Sequence, residues 1–356
     1  MQTKTTYFPT LENVKEAAVK LKGVASVTPL MLNLQNSKKF GANIYFKRED
    51  LQVVRSYKIR GAYNKMSSLS ENQKERGIVC ASAGNHAQGV AMSCKLLKIK
   101  GTIYMPSPTP NQKIEQVKMF GEDFVDVIIE GDTFDDAYHA SMVECESKRK
   151  TFIHPFNDKK VIEGQATVGL EIIEQSDFSI DYVFVAIGGG GLSSGLSSVF
   201  KYLSPNTKII GVEPTGAPSM ITSIENGKNT ELQKIDSFVD GAAVKKVGDL
   251  NFQICRENLH KVITVDEGKV CQTILDLYNR DAIVVEPAGA LSIAALYPVL
   301  IPMNKFHLPS MPCEKPFSFQ RGLVHLILQP IFLTQNVKVV PPPRSRASHP
   351  RHWPQN

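Results

Sequence analysis

One segment constrains the fold of this chain more than any other: an apolar run, four glycines and a helix-like stretch, at residues 182–203. The run Tyr-Val-Phe-Val-Ala-Ile at 182–187 is typical of a strand covered on both faces. Glycines that follow such a strand let the backbone wrap around a ligand and turn N–H groups towards it. The next helix adds positive partial charge at its N-terminus. The segment therefore favours a phosphate-binding loop over the alternative, a tight turn with positive φ.

Short apolar runs and helix-like stretches alternate along the rest of the body, which indicates an α/β fold with largely parallel strands. We predict strands at 43–47, 78–81, 102–105, 125–129, 152–154, 182–187, 208–212, 261–265 and 283–285. We predict helices at 111–120, 132–146, 161–175 and 193–203. Thr109 and Pro110 offer an N-cap and a first helical residue for the first of these helices.

The spacing of the glycines limits which phosphate-bearing ligands the loop could bind. The dinucleotide fingerprint needs glycines at offsets 0, 2 and 5, but Ser193 and Leu192 occupy required positions. No GxxxxGK[ST] pattern occurs, so ATP is disfavoured as well. One rival remains, because Gly191–Gly195 reads GxSxG, the nucleophile turn of α/β-hydrolases. A hydrolase would need an acidic residue and then a histidine downstream, where the body offers only His260.

Two further segments could carry chemistry. Ser-Tyr-Lys-Ile-Arg-Gly-Ala at 56–62 precedes a helical stretch, although a lysine at such a place is usually solvated. Ser-Ala-Gly-Asn-His-Ala-Gln-Gly at 82–89 follows a predicted strand, where backbone N–H groups can hold a carboxylate. A plain capping turn with Asn85 as the N-cap is an equally good interpretation of the second segment taken alone.

Together the three segments resemble the fold type II enzymes that depend on pyridoxal 5′-phosphate (PLP), and among them the serine/threonine dehydratases, most of all threonine dehydratase (threonine ammonia-lyase). The resemblance runs in collinear order from about residue 8 to about residue 296. Six shorter phrases support it: KRED at 47–50, GDT at 131–133, GQAT at 164–167, GVEP at 211–214, VDG at 239–241 and EPAGA at 286–290.

The resemblance implies a two-lobed α/β fold in which each lobe is an open, largely parallel twisted sheet flanked by helices. The larger lobe would take residues 1–72 and 155–300, and the smaller lobe residues 73–154. The cofactor would lie between them.

The resemblance also implies residue roles. Lys58 would bind PLP covalently and serve as the general base, which requires an amine that is partly unprotonated. The other cofactor-binding residues would be Tyr57, Asn85, Gly188, Gly189, Gly190, Gly191 and Leu192. The substrate carboxylate would be held by Ser82, Ala83, Gly84, Asn85 and His86.

The implied reaction is β-elimination on L-threonine, and on L-serine, giving a 2-oxo acid and ammonia. Serine racemases are the close alternative, but they have a serine where this chain has Ala83, and an alanine cannot transfer a proton. Racemase-like relatives bind a divalent cation through positions that match Glu213 and Ala217. The third position holds Ser219 instead of an aspartate, so we expect no metal.

Composition changes sharply near residue 297. The chain has 41 basic and 35 acidic residues, and the stretch from Tyr297 onwards holds seven of the basic residues and one of the acidic ones. The body is therefore balanced, which argues against nucleic-acid binding. The pattern Val-His-Leu-Ile-Leu at 324–328 could be a strand, but Gln329 and Pro330 follow where the family has Ser-Gly-Gly. An inactive relative is thus a second alternative, and we expect residues 301–356 to be poorly ordered.

The sequence also predicts where the protein is located and how it assembles. Six scattered cysteines without a CxxC pair suggest a reducing compartment, hence the cytoplasm. The N-terminus lacks the apolar stretch of a secretory signal, and no apolar run suits a membrane span. The resemblance implies a homo-oligomer, a dimer or tetramer, and a place in isoleucine biosynthesis.

Overall fold

The computed structural model describes residues 7–300 and the backbone of residues 323–328. The helices in this part of the chain are α1 Leu11–Lys20, α2 Leu34–Phe40, α3 Lys58–Ser67, α4 Glu71–Arg76, α5 Asn85–Leu97, α6 Asn111–Gly121, α7 Phe134–Ser147, α8 Lys159–Gln175, α9 Gly191–Leu203, α10 Ser219–Glu225, α11 Asp249–Asn258, α12 Glu267–Asp281, α13 Pro287–Ala294 and α14 Leu296–Leu300. The strands are β1 Leu30–Leu32, β2 Asn43–Arg48, β3 Ile78–Ala81, β4 Gly101–Met105, β5 Val125–Ile129, β6 Thr151–Phe152, β7 Tyr182–Ala186, β8 Lys208–Pro214, β9 Lys261–Val265 and β10 Leu323–Leu328.

The strands form two sheets. The larger has six strands in the order β1-β2-β10-β7-β8-β9, and the smaller has four in the order β5-β4-β3-β6. Every pairing is parallel except that of the edge strand β1 with β2. Parallel strands need long crossovers, and the helices supply them on the sheet faces. The predicted fold, α/β with largely parallel sheets, is confirmed.

Burial explains why the central strands form where they do. Every residue of β3, β4 and β7 is buried, as the continuous apolar runs require. Ile44, Phe46 and Phe184 lie in one core cluster beside the larger sheet, whereas Ile78 and Ile103 lie in another beside the smaller sheet. Each sheet thus has a core of its own.

Most predicted strands are confirmed with ends within two residues, but 283–285 is not a strand. Ala282 ends α12 in the left-handed region at φ +52°, and the N–H of Ile283 donates back to the carbonyl of Leu277. Ile283 and Val285 then turn into the core while Val284 stays exposed. Buried and exposed side chains thus alternate as in an extended segment, but no neighbouring strand pairs with this segment among the described residues.

Helix starts also differ from the sequence expectations. Thr109 does not cap α6, because its hydroxyl donates to the carbonyl of Pro106, and Pro110 is the N-cap. Helix α9 begins inside the glycine run, at Gly191, with Gly190 as its N-cap.

The strand predicted at 324–328 is confirmed by β10, which pairs with β2 on one side and β7 on the other. It is therefore an interior strand of the larger sheet. Apart from β10, residues 301–356 lie outside the described residues, and so do the poor order expected for them and the missing Ser-Gly-Gly turn. Within those residues, no helix combines the length and apolarity that crossing a membrane would need.

Candidate active site

Lys58 is the first residue of α3, and its backbone N–H donates to the hydroxyl of Ser56. The side chain is half-buried, and Nζ donates to the carbonyl of Pro155 at 3.0 Å. Burial lowers the pKa of Lys58 to about 8, and the nearby Glu286 carboxylate partly opposes this shift. A fraction of the amine is therefore unprotonated near neutral pH, as a nucleophile or base requires.

The Ser82–His86 segment connects β3 to α5. The hydroxyl of Ser82 accepts the N–H of Gly84 at 3.2 Å, which shapes the turn before the helix. The capping interpretation of Asn85 is wrong, since Gly84 is the N-cap and Asn85 is the first helical residue. Its Nδ2 donates to both carboxylate oxygens of Glu286, at 2.9 and 3.1 Å. The first N–H groups of α5 have no intrahelical partner, so they suit an anion such as a carboxylate.

The glycine loop joins β7 to α9. Gly190 has φ +89°, a conformation that favours glycine. A methyl group at position 189 would lie 2.2 Å from the ring of Phe156, so only glycine fits there. Asn251 fixes the loop from the other side, because its Nδ2 donates to the carbonyl of Gly189 at 2.7 Å. The loop is thus a tight turn that lies directly before the N-terminus of α9, where free backbone N–H groups suit an anion.

The structure brings the three segments together. A methyl group at Gly89 would lie 3.0 Å from the carbonyl carbon of Lys58, so α5 and the start of α3 are in close contact. Lys58 reaches Pro155, and the next residue, Phe156, packs against the glycine loop. The predicted amine, the asparagine segment and the glycine loop therefore surround one region between the two sheets.

Sequence reasoning missed four residues that shape this region: His154, Phe156, Asn251 and Glu286. Glu286 stood in the quoted phrase at 286–290, yet nothing in that phrase indicated a contact with Asn85. Burial raises the pKa of Glu286 to about 8, with a further rise from Asp240. Asn85 and Lys58 counter that rise, so this carboxyl titrates close to the amine it faces.

The GxSxG alternative finds no support in the geometry. Ser193 is fully buried, and its hydroxyl donates to the carbonyl of Gly190 at 3.0 Å. It also lies 3.3 Å from Sγ of Cys255. A nucleophile must face the substrate, whereas this hydroxyl is used inside the fold.

Glu213 has a structural role in this chain. Its two carboxylate oxygens accept the N–H groups of Met220 and Ile221 at 2.7 and 2.9 Å, at the start of α10. Ser219 donates its hydroxyl to the carbonyl of Val244. The carboxylate that a cation would need is thus used as a helix cap, while the carbonyl of Ala217 accepts the N–H of Ser219 at 3.0 Å.

Comparisons with known proteins agree with this geometry. The sequence profile of the family described as pyridoxal-phosphate dependent enzyme matches residues 21–305. L-threonine dehydratase biosynthetic IlvA of Halalkalibacterium halodurans is 54% identical over 286 residues, 80% of this chain and 69% of the relative. The Bacillus subtilis protein of the same name is 52% identical, over 80% of this chain and 68% of the relative.

Solved structures show the same likeness. The processed form of threonine deaminase isoform 2 from Solanum lycopersicum superposes with a TM-score of 0.82 at 36% identity, covering 92% of each chain. Maize serine racemase superposes with a TM-score of 0.83 at 30% identity, covering 92% of this chain and 95% of that one. On the family match and these identities, the chain belongs to the pyridoxal-phosphate dependent enzymes.

Proposed function

We propose that this protein is a PLP-dependent lyase that converts L-threonine, and L-serine, into a 2-oxo acid and ammonia. The observation that carries the proposal is the meeting of a half-buried amine of lowered pKa, an asparagine segment and a glycine loop in one region. The two bacterial relatives named biosynthetic L-threonine dehydratase support the substrate and a place in isoleucine biosynthesis.

The residues present fit PLP. The backbone of Gly188, Gly189, Gly190, Gly191 and Leu192 would bind the phosphate, because the loop leads directly into the N-terminus of α9 and its glycines put no side chain between the backbone N–H groups and a ligand. Lys58 would bind the aldehyde carbon, Asn85 would contact the ring substituents, and Tyr57 lies beside the amine. When bound, PLP withdraws electrons and so acidifies the hydrogen on the substrate Cα.

The chain's own residues would supply position and proton transfer. Ser82 and the N–H groups of Ala83, Gly84, Asn85 and His86 would hold the substrate carboxylate at the N-terminus of α5. The unprotonated amine of Lys58 would take the proton from the substrate Cα. Glu286 would orient Asn85 through the two hydrogen bonds between them, which makes Glu286 a positioning residue.

Racemisation is the second candidate, favoured by the likeness to maize serine racemase. It needs an acid on the face of the substrate opposite the lysine, and Ala83 has no proton to give. We therefore assign elimination as the main reaction. We also propose that residues 73–154 form the smaller lobe and that 1–72 and 155–300 form the larger, to which β10 adds an interior strand. We further propose that the enzyme is a cytoplasmic dimer or tetramer. Light scattering of the purified protein measures the last point.

The test mixes the purified full chain with PLP and then with L-threonine. We expect a visible absorption band that stays with the protein after free PLP is removed by gel filtration, and 2-oxobutyrate on substrate addition, and neither in Lys58→Ala. A colourless protein would overturn the cofactor assignment. A coloured protein that makes D-serine from L-serine but no 2-oxobutyrate would favour the racemase, and a coloured protein without any turnover would favour the inactive relative.

A further inference from the structure

One short segment touches all three parts of the candidate site. Residues 153–157 run from the end of β6 to the start of α8, and so cross from the smaller sheet to the larger. His86 Nε2 lies 2.8 Å from the carbonyl of Ile153, and Lys58 Nζ lies 3.0 Å from the carbonyl of Pro155. The ring of Phe156 packs against Gly189. The conformation of this segment therefore relates the amine to the glycine loop.

His154 sets that conformation through one ring nitrogen. Nδ1 accepts the N–H of Phe156 at 3.1 Å and the N–H of Asn157 at 2.8 Å. Two donors can share this atom only while it carries no proton, so the ring must be neutral. Burial lowers the pKa of His154 to about 4, with Lys58 lowering it further and Asp158 opposing. The neutral form thus prevails near neutral pH.

The two residues that His154 fixes support the glycine loop through Asn251, one by contacting its side chain and the other by contacting the start of its helix. The carbonyl of Phe156 accepts Nδ2 of Asn251 at 3.2 Å, and the same Nδ2 donates to the carbonyl of Gly189. Oδ1 of Asn157 accepts the N–H of Leu250 at 3.0 Å, at the start of the helix that carries Asn251. Loss of the two bonds to His154 would release both supports at once.

We propose that His154 is a positioning residue for the phosphate end of PLP, acting through the turn at Phe156 and Asn157 that supports the glycine loop. This rests on the proposed function, because it takes the loop as the phosphate site. The ring of His154 also contacts two aromatic rings, independently of the hydrogen bonds that Nδ1 accepts. Its centroid lies 6.1 Å from that of Phe152 and 4.6 Å from that of Phe156.

Three variants distinguish the effect of the hydrogen-bond acceptor Nδ1 of His154 from the effect of its aromatic ring. His154→Phe keeps the aromatic contacts and removes the acceptor. His154→Asn loses the ring but places an amide oxygen near the position of Nδ1, whereas His154→Gln places it one carbon further out. The affinities for PLP and for pyridoxal, which lacks the phosphate, are measured by fluorescence titration of each full-length apoprotein, and urea unfolding of the same samples reports stability.

We expect PLP affinity to fall about tenfold in His154→Phe and His154→Gln, the size expected for two lost hydrogen bonds at a partly rigid turn, and to stay near wild type in His154→Asn. Pyridoxal affinity should change little in all three. Equal PLP affinity in the Asn and Gln variants, or an equal loss for pyridoxal, would overturn the proposal. So would a His154→Phe variant that binds PLP as wild type does. Failure of the wild-type protein to bind PLP would instead refute the proposed function on which this inference rests.

Discussion

At the scale of single residues, the amine of Lys58 and the carboxyl of Glu286 form a coupled pair. Each has a pKa of about 8, the first lowered by burial and the second raised by burial. A negative charge on Glu286 favours the protonated amine, so each group shifts the titration of the other. The balance between them sets the pH at which the amine becomes reactive.

Covalent attachment of PLP should therefore depend on pH with a midpoint near 8. The amine must be unprotonated to attack, so the attachment rate should rise as pH increases through that value. Removing the negative charge with Glu286→Gln should lower the pKa of Lys58 and move the midpoint to lower pH. The rate is followed by borohydride trapping of apoprotein mixed with PLP at pH 6–10. A midpoint that stays in place would show that the two groups do not interact.

Gly189→Ala tests the close contact beneath the loop. The new methyl group would lie 2.2 Å from the Phe156 ring, so one of them must move. PLP affinity should fall about tenfold or more, and a second change, Phe156→Leu, should restore part of it by freeing space. Gly23→Ala is the control, because a methyl group at that glycine would meet no atom within 4 Å, so any effect there comes from its positive φ of +77° alone. An unchanged affinity in Gly189→Ala would contradict the close packing.

Some of the site could be predicted from the sequence, because the signal was local. Lys58, Asn85 and the glycine loop each stand in a phrase of seven or eight residues whose order is typical of a family. Phe156, Asn251 and Glu286 act through contacts across long separations, such as 201 residues between Asn85 and Glu286, whereas His154 acts on residues two and three positions further along the chain. No local pattern indicates which distant carbonyl or carboxylate such a side chain will meet.

At the scale of elements, a buried group of charges joins α3 to β2, α8 and the turn after β2. Arg60 is 1% exposed and donates to Glu49 and Glu171, with its Nη1 2.5 Å from Oε1 of Glu171. Lys47 also donates to Glu171, and to the carbonyl of Thr28. Both carboxylates neutralise cations that could not be buried alone. The group holds the helix that begins at Lys58.

Breaking this group should cost far more than breaking a surface pair. Arg60→Met leaves two buried carboxylates short of a partner, and we expect the free energy of unfolding to fall by about 3–5 kcal/mol. Glu122→Gln removes the exposed pair between Lys95 and Glu122, and we expect a loss of less than about 1 kcal/mol. Urea unfolding of both variants makes the comparison. Similar losses in the two would mean that the buried charges contribute no more than exposed ones.

Elements were predictable where burial and periodicity agreed. The strands β3, β5 and β9 have the predicted ends, since their apolar runs are bounded by helices. The prediction of a strand at 283–285 was wrong, because the apolar residues of this segment pack on the core cluster without pairing to another strand. The short edge strand β1 was missed, since Leu30–Leu32 alone gives too short a pattern.

At the scale of the whole molecule, the larger sheet depends on a strand far along the chain. β10 pairs with β2 over six residues and with β7 over three, and so fills the position between them. Without it, Phe46 and Phe184 would lie on two facing strand edges with unpaired backbone groups. The fold class was predictable from alternation, whereas this strand order follows only from the three-dimensional pairing.

A chain that ends at residue 300 should therefore lose its stable fold. We expect it to aggregate or to unfold without a cooperative urea transition, because two interior strands lose a neighbour. A chain that ends at residue 334 keeps β10 and is the matched control, with a cooperative transition expected. Circular dichroism and size-exclusion chromatography make the measurement. A cooperative transition in the shorter chain would show that β10 is dispensable.

The position of β10 also has a consequence for biosynthesis. The ribosome releases β2 and β7 long before it has translated β10, and its exit tunnel delays the last strand further. The nascent polypeptide must wait with a gap in its larger sheet, while the smaller sheet, complete by Phe152, is free to form early. Chaperones that shield exposed strand edges during translation would thus find their target in the larger sheet, and a premature stop codon just upstream of β10 would leave that gap open for good.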